Sequence, residues 1–322
     1  MSKNRAQFFA SLARLTGAGL PVEKAGDILR EHSLGQSTRS AIESLKAGIA
    51  RGTSIAGALR PSLTELEFSM IHAAESGGHL SDGFAHLEKY YTLLADARKR
   101  MRRAAVYPLS VLHVAALTTG IVAHLAGRPP LPALAMSLGI LWASLLAIYL
   151  ITRLTVASAA KNRAADSFLR ALPFVAPVWR PLALTRWSAV MHFHIISGQK
   201  FSTALESAAS ASASANLSAA TLRLAQAASS GQSIAAAMKC ESVFPPHFVL
   251  GFATGEATGT LDQETAAQTR QCMADATSAM EVLSEWLPRL LYFAAAIYAV
   301  WQIYLLAMGI GGQYQRAIEG KF

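Results

Sequence analysis

Charge is scarce in this sequence. Asp, Glu, Lys and Arg make up 15% of its 322 residues, against 52% hydrophobic residues. A soluble globular chain usually carries more charge, so part of this one belongs in lipid. Cysteine is nearly absent: Cys240 and Cys272 stand without a Cys-x-x-Cys or Cys/His spacing beside them. That excludes a disulfide framework and a cysteine-built zinc site, and it fits idle thiols in a reducing compartment. The string G-x-x-x-x-G-K-[ST] does not occur, so the chain is not expected to hydrolyse nucleotide itself. No stretch alternates with period two. Apolar residues recur at helical spacing instead, and the expected fold is all-α. No apolar run follows Met1–Lys3, so no secretory signal is expected there.

The net charge of +9 invites a nucleic-acid reading. The position of the charge argues against it. Arg98, Lys99, Arg100, Arg102 and Arg103 stand directly before the apolar run Val106–Ala126, which holds no Asp, Glu, Lys or Arg. Basic residues there mark the cytoplasmic flank of a membrane span and suit anionic lipid. At about 1.5 Å per residue such a run crosses a bilayer core of roughly 30 Å. Gly127–Pro132, with three prolines and Arg128, reads as a hairpin loop. A second uncharged run, Ala133–Ile151, follows, and then Arg153, Lys161 and Arg163. A third expected span is Leu287–Ile310, with Arg289 snorkelling near its end.

The chain also repeats itself. Ala74–Leu80, AESGGHL, returns as Gly255–Leu261, GEATGTL, 181 residues on. Gly52–Leu59, GTSIAGAL, returns as Gly231–Met238, GQSIAAAM, 179 residues on. Gly19, Val22 and Ala25 match Gly198, Phe201 and Ala204 at the same 179. A two-residue insertion within Cys240–Pro246 reconciles the shifts, and a period this long is a repeated domain. Each copy reads as six helices. In the first copy these are residues 4–17, Val22–Glu31, Ser37–Ala50, a short helix capped by Thr53 or Ser54, Leu63–Ala74, and a long helix capped by Ser81. The second copy follows a proline-broken lead-in, Leu172–Pro181. It includes Phe201–Ala211, Ala219–Ala228, a helix capped by Ser233, one opened by Pro245-Pro246, and a long helix capped by Asp262. The expected organisation is helical domains at 1–103 and 154–285, a membrane hairpin at 104–153 (spans 106–126 and 132–152), a third span at 286–310 and a periplasmic tail at 311–322. By the basic flanks both helical domains face the cytoplasm.

Glu75 with Gly78, and Glu256 with Gly259, are the sharpest candidate positions. Two readings stand side by side: a partner contact or ion site, and a turn that ends one helix and starts the next. His72, His79 and His86 fall seven apart, but Gly77 and Gly78 interrupt any common helix, so no metal site is expected. His192 and His194 on one helix point apart. Asp82 and Asp262 suit helix starts. No catalytic constellation and no cofactor site emerge.

Two all-α repeats carrying G-x-S-I-A-x-A-[LM] and E-x-x-G-x-L, split by a membrane hairpin and closed by a third span, resemble the platform family of type II secretion and type IV pilus machines (F-type, PilC-like). Leu172–Gly198, LPFVAPVWRPLALTRWSAVMHFHIISG, resembles the opening of that family's second repeat. The resemblance implies a non-enzymatic inner-membrane protein that couples a cytoplasmic ATPase to pilin or pseudopilin assembly. It implies contact with other inner-membrane assembly proteins and self-association, as a homodimer or higher. Longer members carry a further N-terminal segment implicated in ATPase contact; this sequence starts almost at the first repeat, at Phe8–Phe9. The alternatives are a membrane transporter, a membrane-bound enzyme, and a tight-adherence pilus platform, which typically has one such domain and more spans.

Overall fold

The computed structural model describes residues 2–31, 36–125, 127 and 129–318. Every regular element among them is helical. The chain divides into two compact units, residues 1–96 with 155–279, and residues 97–154 with 280–322.

The first unit holds both halves of the repeat. In the first half α1 (Ser2–Gly17), α2 (Val22–Glu31), α3 (Gln36–Ala50), α4 (Ile55–Leu59) and α5 (Glu65–Ser76) precede the start of α6 (Leu80–Leu125). Phe9 stacks between Phe84 and Tyr91, with ring centroids 6.2 and 5.8 Å away, and Phe9, Phe84 and Leu87 are fully buried. Phe84, Leu87, Tyr91 and Leu94 fall at heptad-like steps on α6, and the first three form the wall of this core. In the second half, after α7 (Pro130–Ser158), come α8 (Arg163–Ala171), α9 (Ala176–Ile196), α10 (Phe201–Ala211), α11 (Ala215–Ser229), α12 (Ile234–Lys239) and α13 (Pro246–Thr258). The start of α14 (Leu261–Ile318) closes this half. Here Trp187 carries the core, with Phe244, Phe248 and Phe252 at 5.4, 5.5 and 5.6 Å. The facing row on α14, Cys272, Ala276, Ala279 and Leu283, has little bulk, and Phe248 and Phe252 on α13, with Phe244 just before it, supply the mass.

The two cores solve the same packing problem differently. Glu67 is fully buried and pairs with Arg5. Its other oxygen accepts from Thr64 N and Oγ1, at 2.6 and 2.9 Å. Burial, then Glu67, pushes the Tyr91 hydroxyl upward. At the repeat's own shifts Arg5, Glu67 and Tyr91 correspond to Leu184, Phe248 and Cys272, all buried and apolar. The ionic knot belongs to the first half alone. Burial raises the Cys272 thiol to about 12, which keeps it protonated and unreactive.

Several expectations are corrected. The lead-in Leu172–Pro181 is broken only at 172–175. Helix α9 starts at Ala176, because Pro177 sits in its first turn and costs no hydrogen bond. Helix α8 was not expected. Asn162 caps it by accepting from Ala164 N at 2.9 Å. Helix α11 starts at Ala215 rather than Ala219, because Ser214 caps it by accepting from Leu217 N at 3.3 Å. Neither Ser81 nor Asp262 caps a long helix. The first helical carbonyls are those of His79 and Thr260, which accept from Gly83 N and Glu264 N. The left-handed glycines Gly78 and Gly259 turn the chain so tightly that the helices begin two residues later. Helix α7 begins at Pro130, inside the expected loop; Arg128 lies outside the described residues.

The second unit is built from the later part of α6, α7 as far as Leu154 and the later part of α14. Among the described residues two helices are long and apolar enough to cross a membrane, within Leu80–His124 and Pro130–Ser158. They contain residues 106–124 of the first expected span and the whole of the second, 132–152; Ala126 lies outside the described residues. Val114, Leu117, Ile121, Met136, Ile140 and Trp142 are exposed on them, a surface suited to lipid rather than water. Thr119 Oγ1 lies 3.2 Å from Tyr298 OH, and Ser137 Oγ donates to Ala116 O at 3.1 Å. Residues 319–322 of the expected tail lie outside the described residues; residues before them continue α14 to Ile318.

Candidate functional site

The two copied motifs meet in space. Helices α4 and α12 are short, and each opens with amides that have no partner within the helix. Ser54 caps α4 by accepting from Gly57 N at 3.1 Å. The Glu75 carboxylate, one helix further on, accepts from Ile55 N at 2.6 Å and Ala56 N at 3.0 Å. The second half repeats the arrangement. Ser233 accepts from Ala236 N at 3.3 Å, and Glu256 accepts from Ile234 N at 3.1 Å and Ala235 N at 3.0 Å. Ser233 Oγ also donates to Glu256, at 2.9 Å. Three of four orphan amides are thus met at each helix start, and negative charge sits at the positive end of the helix dipole. The serine comes from G-x-S-I-A and the glutamate from E-x-x-G-x-L. Neither motif alone shows why the other is present.

Three residues after each glutamate the chain reverses. Gly78 has φ +75° and Gly259 φ +72°, a conformation that side-chain-bearing residues adopt at a cost of roughly 1–2 kcal/mol. His79 N donates to Ala74 O at 2.8 Å, and Thr260 N to Gly255 O at 3.0 Å. The other copied glycines, Gly19 with Gly198 and Gly52 with Gly231, also share positive φ. Gly78 and Gly259 are exposed at their corners, while Glu75 and Glu256 are half-buried.

The first corner packs on the second half. Ser197 Oγ, at the end of α9, donates to Ala73 O at 2.7 Å. A Cβ on Gly77 would come within 2.2 Å of that hydroxyl, so the contact needs a glycine. His86 on α6 meets Phe193 on α9 at 6.1 Å. Burial, then His192 and Lys89, holds the His86 imidazole down at about 4 against its ordinary 6.5. His192 and His194 are lowered too, first by burial. Because the folded chain disfavours the imidazolium, the unfolded chain binds the proton at higher pH. The stability from these neutral histidines is complete above pH 6.5 and is lost as pH falls toward 4. Thermal unfolding of the purified chain therefore shifts to lower temperature between pH 7 and pH 5. His86→Phe flattens that dependence, and an unchanged slope in the variant contradicts it.

The remaining candidates are dispersed. His72 stacks on Phe68, and His79 sits 3.8 Å from Asp82. His192 Nδ1 lies 3.0 Å from Asp262 O, and His194 Nδ1 lies 2.6 Å from Gln199 Oε1. Arg98, Lys99, Arg100, Arg102 and Arg103 are exposed on α6 in the second unit, where Arg100 pairs with Glu281. Sequence reasoning missed the buried Asp166. It accepts from Trp179 Nε1 at 2.7 Å, Ser214 Oγ at 2.7 Å, and Asn216 N and Nδ2 at 3.0 and 2.7 Å. Its one local signal is an aspartate four residues after Asn162, in the first turn of a short amphipathic stretch that ends in Phe168-Leu169.

Comparison with known proteins agrees with this layout. The profile of type II secretion system (T2SS) protein F matches residues 8–125 and 187–309, so each half carries a match. The chain is 28% identical over 286 residues to the type II secretion system protein F of Pseudomonas aeruginosa, covering 80% of this chain and 70% of that protein. It is 23% identical to the type IV pilus assembly protein PilC of Pseudomonas aeruginosa, covering 80% and 76%. It is 27% identical to the type 4 fimbrial assembly protein PilC of Pseudomonas putida, covering 86% and 77%. With three quarters of its length matched by that profile, the chain belongs to the family of type II secretion system protein F, among whose relatives are type IV pilus assembly proteins.

Proposed function

We propose that this chain is a non-enzymatic inner-membrane platform of a type II secretion or type IV pilus machine. It couples a cytoplasmic ATPase to the assembly of pilin or pseudopilin subunits. The observation that carries the reading is the family match in both halves, together with two helices fit to cross a membrane. In this reading the halves are duplicated six-helix domains, both cytoplasmic. The paired corners and paired positive-φ glycines support the duplication. The third span is Leu287–Ile310 and the residues after it are periplasmic. The basic segment Arg98–Arg103 meets anionic lipid on the cytoplasmic side. The protein acts as a homodimer or higher oligomer with other inner-membrane assembly proteins, and it takes no cofactor.

The corners are the proposed partner contacts. Glu75 and Glu256 hold the fourth helices, and the exposed turns at Gly78 and Gly259 face the partner. Each long helix starts at a corner, so a push on a corner reaches α6 or α14 directly. The double variant Glu75→Lys/Glu256→Lys places cations against helix N-termini. It is expected to abolish pilus or pseudopilus assembly while the protein still accumulates in the membrane. Glu75→Gln/Glu256→Gln, which keeps an acceptor oxygen, retains assembly. Normal assembly from the lysine variant, scored by surface pili or secreted substrate, overturns the role of the corners.

A further inference from the structure

Between α8, α9 and α11 and the segment after α12 lies a cavity of about 460 Å³, within the size range of small-molecule sites. Its wall carries four guanidiniums, Arg163, Arg170, Arg180 and Arg223, with Ser167 and Asn216 as further polar groups. One carboxylate, Glu241, joins them. Four like charges around one cavity repel one another and raise the local affinity for anions. Burial lowers the Arg170 guanidinium, Asp166 opposes that shift, and Arg180 adds a smaller lowering.

Two of the four are matched. Arg223 holds Glu241 with a fork, Nε at 2.6 Å and Nη2 at 2.7 Å from its two oxygens. Arg170 Nε lies 3.6 Å from Asp166 Oδ2. That carboxylate is already engaged by tryptophan, serine and asparagine donors, and Arg170 Nε has no hydrogen-bond partner. Asp166 thus anchors the arginine from behind. Arg163 and Arg180 have no carboxylate within ion-pair distance among the described residues; both are exposed. A single carboxylate balances one cation. The unmatched charge here calls for an anion with at least two charges and several acceptor oxygens, and planar guanidinium forks suit phosphate oxygens in that geometry.

We propose that this cavity binds a phosphate-bearing anion, with Arg163 and Arg180 as the primary contacts and Asp166-anchored Arg170 as the floor. The same chemistry has two sources, a soluble diphosphate compound and an anionic lipid headgroup. Glu241 acts as a resident competitor on Arg223.

The test uses the full chain in phosphatidylcholine nanodiscs, titrated with pyrophosphate by calorimetry. Saturable binding is expected. Arg163→Ala/Arg180→Ala weakens it by roughly tenfold or more. Glu241→Gln tightens it, a gain that misfolding does not mimic. The same titration in nanodiscs containing phosphatidic acid separates the sources: unchanged pyrophosphate binding assigns the site to a soluble ligand, and competition assigns it to lipid. The absence of saturable binding, or equal binding by the wild type and the double alanine variant, overturns the proposal.

Discussion

Glu67→Leu is expected to cost about 2–4 kcal/mol of stability, because it strips a partly buried guanidinium of its carboxylate partner. The wild-type pair is lopsided: Glu67 is fully buried, while Arg5 keeps 30% of its side chain in water. Removing Glu67 also leaves Thr64 N without its 2.6 Å acceptor at the head of α5. Arg5→Leu alone is the mirror experiment, and it leaves a carboxylate buried with only Thr64 and Tyr91 to satisfy it. The double variant Arg5→Leu/Glu67→Leu recovers more than half of the loss. The second half of the same chain packs Leu184 and Phe248 at the matching positions, so an apolar solution to this site already exists. Thermal unfolding of the four proteins, followed by circular dichroism, gives the coupling directly. Additive losses in the double variant contradict this account of the knot.

Asp166→Leu is the second large loss, of about 3–5 kcal/mol. Four donors converge on that carboxylate from α9 and the start of α11. Leucine removes the acceptor of Trp179 Nε1, Ser214 Oγ and Asn216 N, while Asn216 Nδ2 keeps Ser167 Oγ at 3.0 Å, and Arg170 loses its nearest anion. Asp166→Asn keeps the volume but turns an amide N–H toward donors, and it sits between the wild type and leucine. Trp179 reports the event locally: it is buried, packs with Ala159 and Leu169, and its indole N–H bonds Asp166. A red shift of tryptophan emission is expected in Asp166→Leu. Wild-type stability in that variant shows that the network contributes nothing.

Much of the fold was legible because the signals were local. Helix starts at Thr53 or Ser54, at Ser233 and at Pro245-Pro246 follow from cap chemistry; the caps observed are Ser54, Ser233 and Pro245. The apolar row Phe84, Leu87, Tyr91 and Leu94 reads as a core face by spacing, and its first three members are buried. The misread starts at Ser81 and Asp262 were also local, but the deciding fact was a backbone angle at Gly78 and Gly259. Helix α8 was missed because its burial depends on one aspartate meeting residues from 13 to 50 positions away. The corners illustrate the same limit. Both copied motifs were visible, and the turn was one of the two readings of the glutamates. The bond from Glu75 back across 20 residues to Ile55 N is a tertiary fact that no spacing encodes. The arginine cavity is assembled from four separate stretches and has no linear pattern at all.

As proposed above, this chain is the membrane platform of a secretion or pilus machine. The measurement that tests it most directly is purification of the tagged protein from its own host in mild detergent after cross-linking, with mass spectrometry of what accompanies it. The account predicts a secretion-type or pilus-assembly ATPase and a pilin or pseudopilin, both lost from the Glu75→Lys/Glu256→Lys preparation. A wild-type preparation that carries neither, cross-linked and at native abundance, contradicts it.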